Sequence, residues 1–363
     1  GNLAAGWRKQ LNHVVVGLTG SNGKTTVKEM LASILAQQGE VLATQGNLNN
    51  DIGVPLTLFR LAAEHEYAVL ELGANHPGEI AYLTDIAQPV VGVVNNAGPA
   101  HLEGFGDVPG VAKAKGELFA GLAADAVCVI NADDEFAGLW NSMAAPRRVI
   151  SFGLNAVADV SANWSGDITG SDVELITPAG TVSLRLALPG QHNVMNALAA
   201  TAAALAVDIS LEHIVSGLSS MRPVGGRWQL RPGINGAQLI DDTYNANPAS
   251  LRVALELLSA TDAETWLVLG DMGELGEEGE RLHSQVGEQA RQARVQRLFA
   301  LGELAGKAAH TFGSGAETFT GMDALNARLG ELLQPGVVIL VKGSRAMHME
   351  RVVEALSADE GDA

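Results

Sequence analysis

The sequence predicts an α/β protein of two domains, and three observations point to it. Apolar runs of strand length alternate with helical patterns along nearly the whole chain. A glycine-rich loop, Thr19-Gly20-Ser21-Asn22-Gly23-Lys24-Thr25-Thr26, lies between the first such run and the first helix. The segment Met221-Arg222-Pro223-Val224-Gly225-Gly226-Arg227, with a proline and paired glycines, divides the alternation in two and reads as a linker. At 363 residues the chain also exceeds a comfortable single core. The expected layout is residues 1–12 as the remnant of a linker, 13–222 as a P-loop domain with a parallel sheet and a small antiparallel β insertion, and 223–363 as a Rossmann-like, doubly wound domain.

The first strand is Val14-Val15-Val16-Gly17-Leu18. The loop after it reads as a phosphate cradle. Glycines let backbone N–H groups wrap an anion closely, and the helix that follows points its positive end at the same place. Lys24 adds a point charge, and the Thr25 hydroxyl is suited to Mg²⁺. Leu18 stands where the strict P-loop pattern has its first glycine, so the form is the shorter Gly-x-x-Gly-Lys-Thr-Thr. Val27, Met30, Leu31, Ile34 and Leu35 then recur at helical spacing up to a stop at Gly39. Strands are expected at 41–44, 67–72, 90–95 and 126–130, with helices between them. From Arg148 to Pro189 short alternating stretches with turn residues predict the antiparallel insertion, and an alanine-rich helix follows at 194–206. Beyond the linker, strands at 239–240, 266–269, 298–301 and 337–341 each precede a helical pattern, which places ligands at their carboxyl ends.

Composition excludes several functions. A net charge of −18 argues against a broad nucleic-acid or anionic-membrane surface, so any anion must be held by local positive groups. The single Cys128 lies in an apolar run, reads as a buried strand cysteine and allows no disulfide framework. No signal peptide is recognisable, and no apolar run approaches the roughly 18 residues of a membrane helix. A soluble cytoplasmic protein, without membrane insertion, is the expectation.

Outside the cradle, three residues carry chemistry. Glu71 ends a strand and precedes the turn Gly73-Ala74-Asn75, a place suited to a metal-binding acid or to a merely solvated one. His101 lies in a glycine-containing loop and reads as a ligand or as a structural histidine. Lys115 falls on the apolar stripe of Val111, Leu118, Phe119 and Leu122, so it points inward, whereas Lys113 lies on another, solvated face. Burial disfavours the ammonium and makes the amine reactive, although a lysine that only passes the core on its way to solvent has the same pattern.

These pieces, in this order, resemble the Mur ligase family over residues 13–355. The segments that carry the likeness are the cradle, Gly46-Asn47-Leu48-Asn49-Asn50, Glu71-Leu72-Gly73-Ala74-Asn75-His76 and Ala100-His101-Leu102-Glu103-Gly104. Further along they are Gly190-Gln191-His192-Asn193-Val194-Met195-Asn196-Ala197, Asp241-Asp242-Thr243-Tyr244-Asn245-Ala246-Asn247-Pro248, Gly270-Asp271-Met272-Gly273-Glu274-Leu275 and Lys342-Gly343-Ser344. The resemblance implies an ATP-dependent ligase that joins D-alanyl-D-alanine to UDP-N-acetylmuramoyl-tripeptide through an acyl phosphate, expected to act as a monomer. It implies that a further, uridine-binding first domain belongs before residues 1–12. Gly20, Ser21, Asn22, Gly23, Lys24, Thr25 and Thr26 would hold the phosphates, and Asn193, Asn196, Arg227 and Asp242 the rest of the nucleotide, so that ATP bridges the domains. Thr25, Glu71, His101 and Lys115 would serve two Mg²⁺ ions, Lys115 as a carbamate made with CO₂. Asn47, Asn49, Asn50, Asn245, Lys342, Ser344 and Arg345 would face the peptide and dipeptide. On the residues alone, Asn193 reads as well as a helix cap, Asn47 to Asn50 as a polar turn, and Asn247 before Pro248 as an N-cap. A folylpolyglutamate synthase-like ligase and a nucleotide-binding fragment without turnover are the alternatives.

Overall fold

A computed structural model of the protein describes residues 1–99, 102–222 and 225–358. Two compact units emerge: Gly1–Gly166 with Gly170–Ala187 and Gln191–Met221, and Arg222–Ala363 with Asp167–Thr169 and Leu188–Gly190.

The first unit runs α1 (Asn2–Arg8), β1 (Val14–Thr19), α2 (Lys24–Leu35), β2 (Val41–Ala43), α3 (Gly53–Leu58), β3 (Tyr67–Glu71), α4 (Glu79–Ala87) and β4 (Val91–Val94). It continues with α5 (Leu102–Phe105), α6 (Val108–Gly121), β5 (Val127–Asn131), α7 (Ala137–Ala144) and β6 (Arg148–Phe152). A three-stranded sheet, β7 (Ser161–Asp167), β8 (Gly170–Thr177) and β9 (Gly180–Leu186), precedes α8 (Gln191–Leu205) and α9 (Leu211–Ser220). The main sheet has the order β2-β3-β1-β4-β5-β6, every pair parallel. Its strands are apolar on both faces because helices cover both. Val15, Ala68, Leu70, Cys128 and Ile130 join Leu83, Leu118, Phe119 and Trp140 in one core, while α2 and the alanine-rich α8 cover the other face.

One local reading is corrected. The antiparallel insertion does not begin at Arg148, because Arg148–Phe152 pairs in parallel with β5 as the edge of the main sheet. An edge strand buried on one side alternates like an antiparallel one, and the sequence pattern does not separate the two. The polar lead before residue 13 is a helix stitched to the unit. Trp7 Nε1 donates to Leu61 O at 3.0 Å, and the buried Arg8 guanidinium donates to the carbonyls of Ala87, Leu11 and His13.

Helix α9 packs on α2 so closely that a Cβ on Gly217 would lie 2.4 Å from Ile34 Cα. Backbone cannot yield as a flexible side chain does, so Gly217→Ala is expected to cost about 2 kcal/mol of stability. Denaturant melts check this by a lower midpoint at unchanged slope.

The second unit runs β10 (Gln229–Pro232), β11 (Gln238–Asp241), α10 (Pro248–Leu258), β12 (Glu264–Gly270), α11 (Gly279–Gln292), β13 (Arg297–Leu301) and α12 (Glu303–Phe312). It ends with β14 (Ala316–Phe319), α13 (Met322–Leu332), β15 (Val337–Lys342) and α14 (Glu350–Leu356). The strand order is β10-β11-β15-β12-β13-β14, parallel except for the antiparallel edge pair β10–β11. Leu267 and Leu269 face one core and Trp266 and Val268 the other, the alternation expected of a sheet sandwiched by helices. The short edge strands β10 and β14 escaped the sequence reading because they are half exposed and polar. Asn247 accepts from Ser250 N at 2.8 Å and Ser250 Oγ accepts from Asn247 N, a reciprocal cap on α10.

Candidate functional site

In the first unit the cradle leaves the carboxyl end of β1 and turns into α2 at Gly23, whose φ of 78° is left-handed. A side chain is doubly excluded there, since a Cβ would lie 2.4 Å from Asn196 Oδ1 and 2.7 Å from Asn95 Nδ2. Lys24 Nζ curls back to donate to Gly20 O at 2.7 Å. Ser21 Oγ donates to Gly98 O and accepts from Gly98 N, at 3.1 and 2.9 Å. Asn22 is held by Asn95 and Asn96. Thr26 is buried in the first turn of α2.

Glu71, at the end of neighbouring β3, is 3% exposed. Its carboxylate accepts from Thr25 Oγ1 at 3.0 Å and from Asn49 Nδ2 at 2.9 Å, and its backbone N–H donates to Thr44 Oγ1 at 3.0 Å. The buried Lys28 in turn donates to Thr44 O at 2.5 Å. Thr25 and Glu71 thus share the hard oxygen donors that Mg²⁺ prefers, together with phosphate oxygens and water. Among the described residues no three His, Cys, Asp or Glu side chains converge.

A cleft of about 250 Å³ opens beside these groups, lined among others by Lys24, Asn49, Asn50, Gly73, Asn75 and Lys115. Lys115 sits on α6, which Asp107 caps by accepting from Gly110 N at 2.8 Å. It is 3% exposed, and among the described residues no hydrogen-bond or ion-pair partner faces its amine. Burial, and secondarily the charge of Lys24, lowers its pKa from 10.5 to about 7. A good share of this amine is therefore neutral and nucleophilic near physiological pH. Lys113, two positions away, is exposed.

The other residues singled out in the sequence have varied surroundings. His101 lies outside the described residues. Asn47 is exposed and does not line the cleft. Asn50 Oδ1 accepts from Ile52 N and Gly53 N in the turn into α3, and Asn49 is drawn to Glu71. Asn193 and Asn196 are buried in the first turns of α8. Asn196 Oδ1 accepts from Asn95 Nδ2 at 3.0 Å, and its Nδ2 faces Asn193 Oδ1 at 3.4 Å.

In the second unit, Asp242 follows β11 and Lys342 ends the adjacent β15. The Lys342 ammonium, 2% exposed, lies 2.5 Å from Asp242 Oδ2 and donates to Asn245 O at 3.0 Å. Ser344 Oγ donates to Asp271 O at 2.7 Å, and Arg345 pairs with Glu350 at 3.3 Å. The Arg227 guanidinium lies 4.4 Å above the Tyr244 ring. Lys342 and Ser344 therefore carry internal partners, and the turn after them is a three-residue 3₁₀ helix in place of an α-helix N-terminus. Sequence reasoning missed Lys28, Thr44, Asn95 and Asn96. The available signal for the two asparagines was their place after an apolar strand, at the carboxyl edge where ligands gather.

A family model described as the Mur ligase middle domain matches residues 18–204, and one described as the Mur ligase glutamate ligase domain matches residues 226–345. The UDP-N-acetylmuramoyl-tripeptide–D-alanyl-D-alanine ligase of Escherichia coli K12 is 46% identical, over 98% of this chain and 79% of that protein. A crystal structure of MurF from Acinetobacter baumannii superposes with a TM-score of 0.90 at 39% identity, covering 97% of this chain and 78% of that one. MurF ligase from Thermotoga maritima, in complex with ADP, gives 0.86 at 28% identity, covering 98% and 82%.

Proposed function

The chain belongs to the Mur ligase family, and from that premise we propose that it joins D-alanyl-D-alanine to UDP-N-acetylmuramoyl-tripeptide with conversion of ATP to ADP and phosphate. The observation that carries this reading is the 46% identity, over nearly the whole chain, to an enzyme named for that reaction. The meeting of Lys24 and Lys115 at one cleft, with Glu71 bonded to Thr25 and to the cleft-lining Asn49, supports it. The tripeptide carboxylate attacks the γ-phosphorus, ADP leaves, and the dipeptide amine then displaces phosphate from the acyl phosphate. Because ATP drives the reaction, we assign it to the cytoplasm.

The chain's own groups work by position and charge. Backbone N–H groups at the start of α2 and the Lys24 ammonium bind the phosphates. Thr25 and Glu71 offer oxygen ligands to Mg²⁺, which when bound neutralises phosphate charge. Lys115, neutral and beside the cleft, adds CO₂ with loss of a proton and becomes a carbamate anion. The sign of its charge is thereby reversed, which turns a group that repels a cation into one that attracts it. His101 is proposed as a partner for a second ion, and Arg227 and Asp242 as nucleotide contacts.

ADP release that requires both the UDP-linked tripeptide and D-alanyl-D-alanine is the expected result. Release driven by a folate and glutamate, or nucleotide binding without acceptor-dependent turnover, would overturn the proposal. Lys24→Met is expected to weaken ADP binding about 100-fold, read by calorimetric titration, since it removes a charge-assisted contact to phosphate.

A further inference from the structure

The asparagine pair after β4 does more than close a loop. Asn96 treats Asn22 as one strand residue treats another: its Oδ1 accepts from Asn22 N at 2.8 Å and its Nδ2 donates to Asn22 O at 3.1 Å. Asn95, 2% exposed, donates from Nδ2 to the same Asn22 O at 3.0 Å. Backbone and side-chain bonds seat both asparagines in turn. Asn95 N donates to Thr19 O, Asn131 Nδ2 donates to Asn95 O at 2.9 Å, and Ser21 N donates to Asn96 O at 3.0 Å. Ala97 N is fixed by Asp134 Oδ2 at 2.9 Å.

The consequence lies one peptide further on. Among the described residues, the only cis peptide is Ala145–Pro146, so the Asn22–Gly23 peptide is trans and planar. In such a unit the C=O and the following N–H point in opposite directions. Two carboxamide donors pinning Asn22 O from the side of the sheet therefore turn the Gly23 N–H the other way, away from the end of β4. Among the described residues no acceptor of the chain takes that N–H. Gly23 is also the N-cap of α2, where N–H groups lack intrahelical partners.

We infer that Asn95 and Asn96 are positioning residues of the phosphate loop, which hold the Asn22–Gly23 peptide so that its N–H is committed to the β-phosphate side of a bound nucleotide. The inference rests on the phosphate-site reading of the cradle. Asn95 also grips Asn196 on α8, so it joins the loop to that helix. Neither side chain needs to touch the ligand, and neither lines the cleft.

The test compares ADP and AMP, with Mg²⁺, by calorimetric titration of the parent chain, Asn96→Ala and Lys24→Met. Asn96 is half-buried and suits substitution better than the fully enclosed Asn95. The parent is expected to prefer ADP over AMP, and Lys24→Met to erase that preference. Asn96→Ala is expected to lower the preference about tenfold, the worth of one charge-assisted hydrogen bond, with AMP affinity unchanged. A preference within twofold of the parent, or an equal loss for both nucleotides, would overturn the inference while leaving the cradle in place. A parent without any preference, unaffected by Lys24→Met, would instead remove the phosphate-site reading and this inference with it.

Discussion

Lys115→Met is expected to abolish ligation and, at the same time, to stabilise the fold below neutral pH. Acceptor-dependent ADP release should fall about 10³-fold, the scale of removing a positioned charge from a reaction centre. The stability effect follows from the lowered pKa. A drop from 10.5 to about 7 corresponds to roughly 5 kcal/mol of cost for burying the ammonium. Below pH 7 folded and unfolded amines are both protonated, and the folded protein bears that cost in full. Between about 7 and 10.5 the unfolded chain binds the extra proton, so parental stability climbs with pH, and above that window the cost is gone. Thermal melts in CO₂-depleted buffer should show Lys115→Met ahead of the parent at pH 6, with the advantage shrinking steadily toward pH 10. A variant that still ligates, or a gap that does not change with pH, would count against the role and the burial cost respectively.

Glu71→Gln should be nearly as damaging to turnover and nearly silent in stability. The carboxylate accepts from Thr25 Oγ1 and Asn49 Nδ2. A glutamine can keep its oxygen toward Asn49 and turn its NH₂ to Thr25, whose hydroxyl then accepts, so no buried group is left unpaired. What disappears is one negative charge beside Thr25. The expected outcome is a fall in kcat of about 10³-fold with a higher Mg²⁺ requirement, while ADP binding without metal stays as in the parent. ADP release within tenfold of the parent would show that Glu71 only holds Thr25 and Asn49 in place.

Much of this was legible in the sequence where a periodic pattern or a fixed order of residue types carried it. Lys115 interrupts an apolar stripe at helical spacing, and such an interruption forces a lysine inward. The cradle is announced by strand, glycines, lysine and helix in succession. Polar contacts between distant segments left no such trace. Asn95 and Asn96 meet Asn22 across more than seventy residues, and a carboxamide in a loop has no periodicity to betray its partner. Lys342 read as an anion site because its pairing with Asp242 depends on β15 lying beside β11, a neighbour relation set by the tertiary fold alone. The misplaced start of the antiparallel insertion has the same origin, since Arg148–Phe152 pairs with β5 and its own residues alternate either way.

The position of β1 between β3 and β4 fixes where the cleft lies in the sheet. Leu72 N bonds to Leu18 O on one side and Asn95 N to Thr19 O on the other, so the cradle, Glu71 and Asn95 sit at three adjacent strand ends. The cleft thus belongs to the interior of the sheet, and fraying at the outermost strands β2 and β6 leaves it whole. A nucleotide seated there would bridge three strands at once. Its binding energy would fall on these central pairings, so a bound ligand would protect their amides from exchange more than those of the edge strands.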